Sequence, residues 1–440
     1  MTNPTAKPPA DFPKRAEVAV IGAGIAGCAT AWFLAKAGIP VVVLEKGRIA
    51  GEQSSRNWGW VRKQGRDPRE LPTAIESLKV WPTFKKELEA DVGWHRAGVT
   101  YVAKDETDLA HFEEWLGLAQ PYQLDSRMLS PKETDAMLGT EGGRWLGALH
   151  TPSDGRAEPA LVVPAIAKAI ERLGGRVIEN CAVRTIETAA GRVSGVATEH
   201  GTIACATVLC AAGAWSSLFN RNLGIRLPQL RVRSSVMRTK PSALVTESAV
   251  WCGSFAFRRR QDGGYTVAGD GGSTMEIVPD AFRYFRLFGP ARHANRRDLR
   301  IRFSGEFFRQ LRQPKRWRAD EVTPFEQTRV LDPEPDLALL ARILTRARAI
   351  LPGFRDLEAE ECWAGMIDVT PDIIPVMSAV DQVPGYYIAT GFSGHGFGFG
   401  PGAGQVMSEL ITKGSARVDL EPFRLSRFSD GTKMTPYATI

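Results

Sequence analysis

The chain has 440 residues and a formal net charge of +7 at pH 7, with 43% hydrophobic and 24% charged residues. The length exceeds one typical domain, so we expect two lobes, and the composition is ordinary for a globular protein. No apolar run reaches the roughly eighteen residues that a membrane-spanning helix needs. Residues 1–13 lack the apolar stretch of a secretion signal, and we expect a disordered tail at 1–15 and a loose tail at 426–440.

The first predicted element is a strand–turn–helix–strand unit. An apolar run at 18–21 is followed by the glycine turn 22–27, a small-residue helix at 28–37, a second apolar run at 41–44 and the acid Glu45. This order within about thirty residues is the fingerprint of a dinucleotide-binding βαβ unit. It predicts a bound dinucleotide, and a glycine turn without a cofactor is the alternative.

Each part of this unit has a physical role. Gly22 allows the tight turn, Gly24 lets the backbone approach a pyrophosphate, and Gly27 lets the helix pack against the strand. The helix N-terminus presents free N–H groups and a partial positive charge to the phosphates. Glu45 can accept hydrogen bonds from both ribose hydroxyls and disfavours a 2′-phosphate. These residues predict FAD or NAD rather than NADP.

Beyond this unit, a polar and irregular stretch covers 51–62. Apolar residues at helical spacing predict helices at 71–88, 109–120, 159–173, 336–350 and 403–412. Apolar runs and alternation predict strands at 98–102, 147–150, 176–178, 183–187, 192–198, 202–204, 208–215, 232–238, 254–257, 265–268 and 385–391, with a hairpin turn at 261–264. A glycine-rich turn is expected at 391–404.

A glycine-rich strand–turn–helix at both ends of the chain indicates that both ends build one nucleotide-binding lobe. The antiparallel middle of the chain is then a second lobe inserted into the first. The pattern assigns 16–95, 151–226 and 355–425 to the nucleotide-binding lobe, and 96–150 and 227–354 to the second lobe.

The spacing of the cysteines and histidines indicates the cellular compartment and whether a metal site is expected. Six cysteines without CxxC spacing, among apolar or small neighbours, predict buried and reduced thiols in a cytoplasmic protein, with a structural disulfide as the alternative. Six histidines without HxH or HExxH spacing predict no metal site.

Positive charge is concentrated at 282–318, where twelve Arg and Lys residues are opposed by Asp298 and Glu306. A solvated, arginine-rich helix face is the interpretation that we favour. The alternatives are an anionic partner, such as a membrane surface or nucleic acid, and a field that attracts carboxylate substrates. We expect no nucleic-acid partner.

Four separated motifs stand out: the glycine turn with Glu45, Ser-Ser-Arg at 54–56, Ala-Ala-Gly-Ala-Trp at 211–215 and Gly-Phe-Ser-Gly-His-Gly at 391–396. Together they resemble the FAD-dependent amine oxidoreductases of the glycine oxidase and D-amino acid oxidase superfamily. Segments 45–56, 320–327 and 363–372 look most like bacterial flavin L-amino acid deaminases. The resemblance implies an α/β fold, with a Rossmann-like FAD-binding lobe of the glutathione-reductase type and an inserted α+β, antiparallel-sheet substrate lobe.

The resemblance also implies a set of cofactor contacts. Residues 54–56 would hold the pyrophosphate and flavin, 57–60 would pass over the isoalloxazine ring, and 394–398 would place N–H groups near flavin N1–C2=O. Val183 would face the adenine side. The implied cofactor set is Gly22, Gly24, Ile25, Ala26, Gly27, Glu45, Lys46, Ser54, Ser55, Arg56, Asn57, Trp58, Gly59, Val183, Ala212, Gly213, Trp215, Gly365, Gly394, His395, Gly396, Phe397 and Gly398.

Departures from the family pattern indicate how FAD is attached and whether the protein is associated with a membrane. Gly365 stands where sarcosine-oxidase-type relatives carry the flavin-linking cysteine, and 54–60 contains no histidine, so we expect noncovalent FAD. The chain lacks the N-terminal anchor of the membrane deaminases, and their membrane-associated insertion corresponds to 282–313, here mostly arginine and thinly apolar. We therefore expect a soluble, cytoplasmic protein, and we do not favour peripheral membrane contact through 282–318.

Amine oxidation on a flavin needs an oriented neutral amine, a dry flavin face and a partner for the substrate carboxylate. Arginine suits a carboxylate because its planar fork binds bidentately. Arg62 is the first candidate, and Arg258 on a middle-lobe strand is the second. Trp58 and Trp60 are predicted pocket walls, with plain packing as the alternative. His395 is predicted to be a flavin-loop residue rather than a catalytic base.

Asp368 is a further candidate, since it lies in the otherwise apolar run 366–369 that we expect beside the flavin. It could pair with the cationic side chain of L-arginine or L-lysine. The alternative is a structural acid that accepts hydrogen bonds from neighbouring backbone N–H groups.

The predicted function is oxidative deamination of an L-amino acid to the 2-oxo acid and ammonia. A hydride would pass from Cα to FAD, and O2, giving H2O2, or another electron acceptor would reoxidise the flavin. The alternatives are a D-amino acid or N-methyl amino acid oxidoreductase and a flavin-binding module without turnover. No oligomeric state follows from the sequence.

Overall fold

A computed structural model describes residues 11–269, 273–296 and 299–437. Its strands are β1 (Val18–Ile21), β2 (Val41–Leu44), β3 (Trp60–Val61), β4 (Val99–Ala103), β5 (Arg127–Leu129), β6 (Gly147–Thr151), β7 (Gly155–Arg156), β8 (Arg176–Ile178), β9 (Val183–Ala189), β10 (Arg192–Thr198), β11 (Gly201–Ala204), β12 (Thr207–Cys210), β13 (Leu230–Thr239), β14 (Ala249–Trp251), β15 (Phe255–Arg259), β16 (Tyr265–Gly269), β17 (Ser273–Glu276), β18 (Leu299–Arg302), β19 (Ala359–Val369), β20 (Val376–Ala379) and β21 (Tyr386–Thr390).

The helices are α1 (Ile25–Lys36), α2 (Gln53–Arg56), α3 (Leu71–Val80), α4 (Phe84–Glu87), α5 (Glu106–Ala119), α6 (Pro131–Leu138), α7 (Pro159–Arg172), α8 (Ser216–Asn222), α9 (Pro279–Arg283), α10 (Gly289–Ala294), α11 (Glu306–Arg312), α12 (Pro324–Gln327), α13 (Leu337–Ile350) and α14 (Gly396–Lys413). Short 3-10 turns lie at Trp81–Thr83, Gln120–Tyr122, Gly213–Trp215, Pro352–Phe354, Glu421–Phe423 and Leu425–Phe428.

The sheet of the nucleotide-binding lobe has the strand order β20-β21-β12-β1-β2-β8. β1 lies inside this sheet, parallel to β2 on one side and to β12 on the other. Every residue of β1 and β2 is buried, because α1, α7 and α14 pack on one face and the smaller sheet β11-β10-β9 packs on the other. Continuous Val and Ile runs are typical of strands that are covered on both faces. The Rossmann-like lobe is confirmed.

The second lobe is built on the sheet β18-β17-β13-β16-β15-β14-β4-β6-β5, in which most neighbours are antiparallel. The predicted hairpin turn joins β15 to β16, with Gly263 at φ +81°. The boundary of this lobe needs a correction. β19 pairs with β13 from Val369 opposite Leu230 to Ala359 opposite Thr239. Residues 359–369 therefore belong to the second sheet, whereas the sequence pattern assigns them to the first lobe.

The predicted helix at 71–88 is interrupted. α3 ends at Val80, a 3-10 turn follows, and α4 begins at Phe84. Pro82 lies in that turn, where it lacks the N–H that a continuous helix would need. The break turns the buried Trp81 toward the last helix, where its Nε1 donates to the carbonyl of Gly398 at 2.9 Å.

The last helix, α14, begins at Gly396 rather than at residue 403, so much of the predicted glycine-rich turn is helical. Glycine disfavours a helix when helices are judged by local propensity alone. Here close packing decides, because a Cβ on Gly404 would lie 2.5 Å from Cβ of Ala29 and one on Gly402 would lie 2.5 Å from the carbonyl oxygen of Thr73. The glycines let α14 approach α1 and α3.

Both predicted tails need correction in their described parts. Residue Ala204 donates its backbone N–H to the carbonyl of Lys14 at 2.9 Å, and Phe12 packs on the core of the nucleotide-binding lobe. At the other end, Phe428 and Met434 are buried in the same core. A few apolar side chains anchor each segment to the core, although most residues of the two segments are polar. The remaining tail positions, 1–10 and 438–440, lie outside the described residues.

Within the described ranges, no helix combines the length and the apolar character that crossing a membrane requires. The segment 282–313 is more apolar at its surface than the sequence predicts. Phe282, Phe285 and Phe303 are 65%, 55% and 59% exposed, and rings along α9 and α11 contact one another.

Candidate active site

A cavity of about 550 Å³ is lined by residues of both lobes. Gly27, Ser55 and Gly59 of the predicted set do not line it, since each packs against the protein instead. The predicted site residues on its wall are Gly22, Gly24, Ile25, Ala26, Glu45, Lys46, Ser54, Arg56, Asn57, Trp58, Trp60, Arg62, Val183, Ala212, Gly213, Trp215, Gly365, Asp368, Gly394, His395, Gly396, Phe397 and Gly398.

The glycine turn after β1 provides a cradle that side chains would fill. Gly22 has φ +103°, and a Cβ there would lie 2.6 Å from the carbonyl oxygen of Ala211. A Cβ on Gly27 would lie 2.1 Å from the carbonyl oxygen of Gly22. At Gly24 a Cβ would meet Ser54 Oγ at 3.2 Å and no other atom within 4 Å, so this glycine faces the cavity. The turn therefore leaves room for a pyrophosphate beside the start of α1.

Glu45 is held rigidly at the end of β2. Its Oε2 accepts from the Ala23 N–H at 2.9 Å, and its Oε1 accepts from the Gly47 N–H at 2.8 Å. Burial raises the pKa of this carboxyl, and the two backbone N–H groups oppose that rise. A fixed acid at the edge of the cavity suits a ribose diol. Val183 lines the same cavity from the start of β9.

The Ser-Ser-Arg segment forms α2, and most of its polar groups bond within the protein. Ser54 Oγ accepts from the Ile25 N–H at 2.9 Å, and Ser55 Oγ donates to the carbonyl of Ala50 at 2.6 Å. The buried Arg56 guanidinium forms an ion pair with Asp332 and donates to the carbonyls of Ala364 and Gly51, each at 3.0 Å. Arg56 therefore fastens α2 to β19, although its side chain also reaches the cavity wall.

Trp215 lies at the cavity wall beside two cations. Lys46 Nζ and the Arg231 guanidinium each lie 4.6 Å from the centre of its ring system. Its Nε1 donates to both carboxylate oxygens of Glu52, at 3.0 and 3.1 Å. Two neighbouring cations and a bonded N–H fix the indole in place, so it is a rigid wall of the cavity.

The first turn of α14 lies at the cavity. Gly396, Phe397 and Gly398 line the wall at the start of this helix, where backbone N–H groups have no partner within the helix. A Cβ on Gly398 would lie 2.9 Å from the carbonyl oxygen of Trp60, so this helix packs closely on β3. The partial positive charge of a helix start suits the carbonyl end of an isoalloxazine ring.

His395 precedes this helix and is buried. Its Nδ1 lies 3.0 and 3.1 Å from the two carboxylate oxygens of the buried Glu70. Burial, with Arg66 nearby, lowers the pKa of His395 to about 4, so the imidazole is neutral near pH 7. Such a group is a weak proton acceptor at neutral pH, which agrees with a loop role rather than that of a catalytic base.

Beyond the glycine turns, the cavity continues between aromatic side chains and two arginines. The Trp58 ring stacks on Trp251 at 6.1 Å and contacts Trp60 edge-on at 5.6 Å. Arg62 lies over the ring of Tyr101 at 5.6 Å and donates to the carbonyl of Gln64. This end of the cavity combines flat apolar walls with positive charge.

Arg66 is the feature that sequence reasoning missed. It is 3% exposed, and among the described residues its Nε and Nη1 have no hydrogen-bond partner. Burial, and then the neighbouring Arg62, lower its pKa to about 9, so the guanidinium remains charged at pH 7. A buried cation with unpaired donors on a cavity wall has the chemistry that an anionic ligand requires. No signal in the sequence marks it, because the absence of a partner for its donors depends on the fold.

Arg258, the second candidate for the carboxylate, is instead a structural residue. Both of its Nη atoms donate to the Glu158 carboxylate, at 2.8 and 3.0 Å, and its Nε donates to the carbonyl of Trp58. It does not line the cavity. A fully buried guanidinium needs a partner within the protein, and Glu158 supplies it. Arg258 therefore supports the backbone that carries Trp58.

Asp368 lies on the cavity wall but is already bonded. Its Oδ2 accepts from the Gly391 N–H at 2.7 Å, from Gln229 Nε2 at 3.0 Å and from Thr390 Oγ1 at 3.1 Å. Burial raises its pKa. These contacts match the structural alternative, in which the acid ties β19 to the end of β21.

The fold and the cavity define a class of protein: a dinucleotide-dependent enzyme whose second lobe closes the reactive end of the cofactor site. The family model described as DAO, FAD dependent oxidoreductase, matches residues 17–410, and the chain belongs to this family. The choice between FAD and NAD is thereby settled for FAD. The cradle at Gly24, the fixed Glu45 and the start of α14 fit that cofactor.

Two relatives and two solved structures illustrate the likeness. Over 431 residues the chain is 26% identical to mitochondrial sarcosine dehydrogenase of Mus musculus, covering 96% of this chain but 42% of that protein. It is 25% identical to glycine oxidase of Bacillus licheniformis over 423 residues, 94% and 98% of the two chains. L-amino acid deaminase from Proteus myxofaciens in complex with anthranilate superposes with a TM-score of 0.92 at 30% identity over 96% of each chain. L-amino acid deaminase from Proteus vulgaris superposes with a TM-score of 0.90 at 29% identity, covering 96% of this chain and 99% of that chain.

Proposed function

We propose that this protein oxidatively deaminates an L-amino acid with noncovalent FAD. Loss of a hydride from Cα of the neutral amine leaves an iminium, which water hydrolyses to the 2-oxo acid and ammonium. The observation that carries the proposal is the buried Arg66, which has two unpaired donors and lines an aromatic cavity next to the cofactor cradle. An amino acid brings the carboxylate that such a guanidinium requires. The likeness to structures named as L-amino acid deaminases supports this substrate class over D- or N-methyl amino acids, which remain the second candidate.

The chain's own residues have distinct roles in this proposal. When bound, FAD supplies the hydride acceptor. Arg66, with Arg62 beside it, holds the substrate carboxylate and so fixes the direction of the Cα–H bond. Trp58 and Trp60 wall the reacting face and exclude water. His395 stays neutral and takes no proton, which suits a reaction in which a neutral amine loses a hydride.

The cofactor contacts are proposed to follow the geometry of the wall. Gly22 and Gly24 accommodate the pyrophosphate, Glu45 accepts from the ribose, and the start of α14 supports the flavin carbonyl end. Gly365 lines the cavity without a side chain that could form a covalent link. Acid precipitation tests this point, because noncovalent FAD passes into the supernatant whereas a covalent flavin stays with the pellet.

A basic substrate has weaker support than the deamination itself. Asp368 could attract L-arginine or L-lysine, but three donors already engage its Oδ2. Trp58, Trp251 and Tyr101 favour a flat or apolar side chain instead. In a comparison of L-phenylalanine, L-leucine and L-arginine, Asp368→Asn is expected to leave the order of preference unchanged. A selective loss of arginine turnover would restore the basic-substrate hypothesis.

The deciding experiment is a turnover panel on the purified yellow protein. L-, D- and N-methyl amino acids are offered one at a time, and the 2-oxo acid, ammonia and H2O2 are measured together. We expect a 2-oxo acid from L-amino acids. Exclusive turnover of D-amino acids or sarcosine would refute the proposal, as would absence of turnover with every compound. Release of 2-oxo acid without H2O2 identifies an acceptor other than O2.

A second candidate property is peripheral contact with an anionic membrane. An aromatic–arginine surface is formed by exposed apolar side chains, each at least 47% exposed, and by exposed arginines near them in the chain: Phe282, Phe285, Phe303, Phe308 and Leu311, with Arg283, Arg302 and Arg309. Exposed rings beside cations suit the interface of an anionic lipid bilayer. The cytoplasmic location stays a prediction.

Vesicle sedimentation tests the membrane proposal. We expect binding to phosphatidylglycerol vesicles, weaker binding to phosphatidylcholine, and loss of binding in Phe303→Ser/Phe308→Ser. Leu337→Ser is the matched control, since Leu337 is 62% exposed on α13, outside this surface. Equal sedimentation of the parent with and without vesicles would refute membrane contact and leave the deamination proposal untouched.

A further inference from the structure

The segment 429–437 follows the last 3-10 turn and is fastened to the rest of the molecule at several points. Just before it, Arg427 binds the Asp372 carboxylate bidentately at 2.9 and 3.1 Å. Within it, Met434 is 7% exposed, and the carbonyl of Thr435 accepts from Arg69 Nη2 at 2.8 Å. These contacts bring the next residues of the chain to a fixed place beside α5.

Tyr437 lines the cavity at that place. Its ring stacks on His111 of α5, with centroids 6.3 Å apart and planes 26° apart, and it packs on the apolar cluster that contains Phe112 and Trp115. Trp115 in turn donates its Nε1 to the carbonyl of Arg66 at 3.0 Å. Tyr437 and Arg66 therefore share one wall through Trp115.

The hydroxyl of Tyr437 is buried, and within the described residues it has no hydrogen-bond partner. A buried hydroxyl that lacks a partner is unfavourable, and such groups in native proteins are commonly completed by a ligand or by water. Burial raises the pKa of this phenol to about 12, so it remains a hydrogen-bond donor at neutral pH. The hydroxyl is thus a donor without an acceptor, on a residue that lines the cavity.

We infer that the segment 429–437 forms a wall of the substrate end of the cavity, and that the Tyr437 hydroxyl donates a hydrogen bond to the bound carboxylate-bearing substrate. The inference rests on the proposed function for the nature of that substrate. Tyr437 is then a specificity-determining residue, since it sets the length of the cavity beyond Arg66. Its ring closes that end of the cavity, and its hydroxyl favours ligands that place a hydrogen-bond acceptor within reach.

Ligand binding to the FAD-loaded protein tests this inference without turnover. Anthranilate, an aromatic amino-carboxylate, is titrated into the parent, and the flavin absorbance gives the dissociation constant. Tyr437→Phe keeps the ring and removes the hydroxyl, so we expect about 3- to 10-fold weaker binding. Tyr437→Ala also opens the wall and is expected to weaken binding further. Lys433→Ala, exposed in the same segment, is the matched control and should bind as the parent does.

The outcomes separate this inference from the proposed function. Equal dissociation constants for the parent and Tyr437→Phe would overturn the hydroxyl contact, and a parent-like Tyr437→Ala would overturn the wall. Absence of saturable binding to the parent would overturn both parts. If the variants weaken binding but no L-amino acid is oxidised in the turnover panel, the wall stands and the deamination proposal fails.

Discussion

Replacing Arg66 with glutamine tests the proposed carboxylate site directly. In the free protein this change removes a buried cation with two unpaired donors, so the melting temperature is expected to stay equal or rise. In the complex it removes a charged, hydrogen-bonded contact, for which truncation of one partner costs about 2–5 kcal/mol. At about 1.4 kcal/mol per tenfold change, that corresponds to roughly 30- to 4000-fold weaker binding of a carboxylate ligand.

The assay is the dissociation constant for anthranilate together with kcat/KM for the best L-amino acid of the panel. Arg62→Gln is the informative comparison, because Arg62 also reaches the cavity but already donates to the carbonyl of Gln64. Arg96→Gln, an exposed arginine, is the control. A change below about threefold in Arg66→Gln, or a larger loss in Arg62→Gln, would refute the assignment of the carboxylate to Arg66.

Gly24→Ala should lower FAD content without unfolding the chain, because a Cβ there meets Ser54 Oγ at 3.2 Å and otherwise occupies the cavity; full FAD content would contradict the cradle. Arg258→Met should lower the free energy of unfolding by about 3–5 kcal/mol, because Glu158 then stays buried without its cation. In denaturant titrations, the double variant Glu158→Gln/Arg258→Met should recover most of that free energy of unfolding. If the double variant loses as much stability as the two single variants together, Glu158 and Arg258 do not stabilise the fold as an ion pair. Stability should fall as the pH drops from 6.5 to about 4, because burial keeps native His395 neutral there while the unfolded chain binds the proton. His395→Asn should flatten this pH dependence of the melting temperature, and an unchanged slope would assign it to another group.

Much of the nucleotide-binding lobe could be predicted from the sequence, because its signals are local. The apolar runs of β1 and β2, the glycine turn between them and Glu45 lie within one short stretch whose geometry follows from its residue types. The start of α14 could not be predicted in this way. Its glycines are poor helix formers, and the partners that favour them, such as Ala29 and Thr73, lie hundreds of residues away in the chain.

The difference between local signals and contacts of distant segments also explains which residues of the cavity wall could be predicted. Residue types in the glycine turn and at the end of β2 suffice to predict that Gly24 and Glu45 lie at a common cavity. Nothing local distinguishes Arg66 from the paired Arg258, because their difference is the presence of Glu158 across the fold. Tyr437 lies in a stretch whose polar composition is typical of a loose tail, and the contact of Arg69 with Thr435 that fixes it is formed between distant segments.

The strand order of the nucleotide-binding lobe has a consequence for biosynthesis. β1 forms its parallel pairing with β12, where Val18 lies opposite Thr207, and β12 in turn pairs with β21, where Cys210 lies opposite Ile388. Contacts between such distant segments form slowly, because a long loop must close before they gain any stability. During translation the glycine turn leaves the ribosome long before α14, which lines the same cavity. We therefore expect cofactor capture to be a late step of maturation, so that the supply of FAD after synthesis governs how much of the protein survives cellular proteolysis.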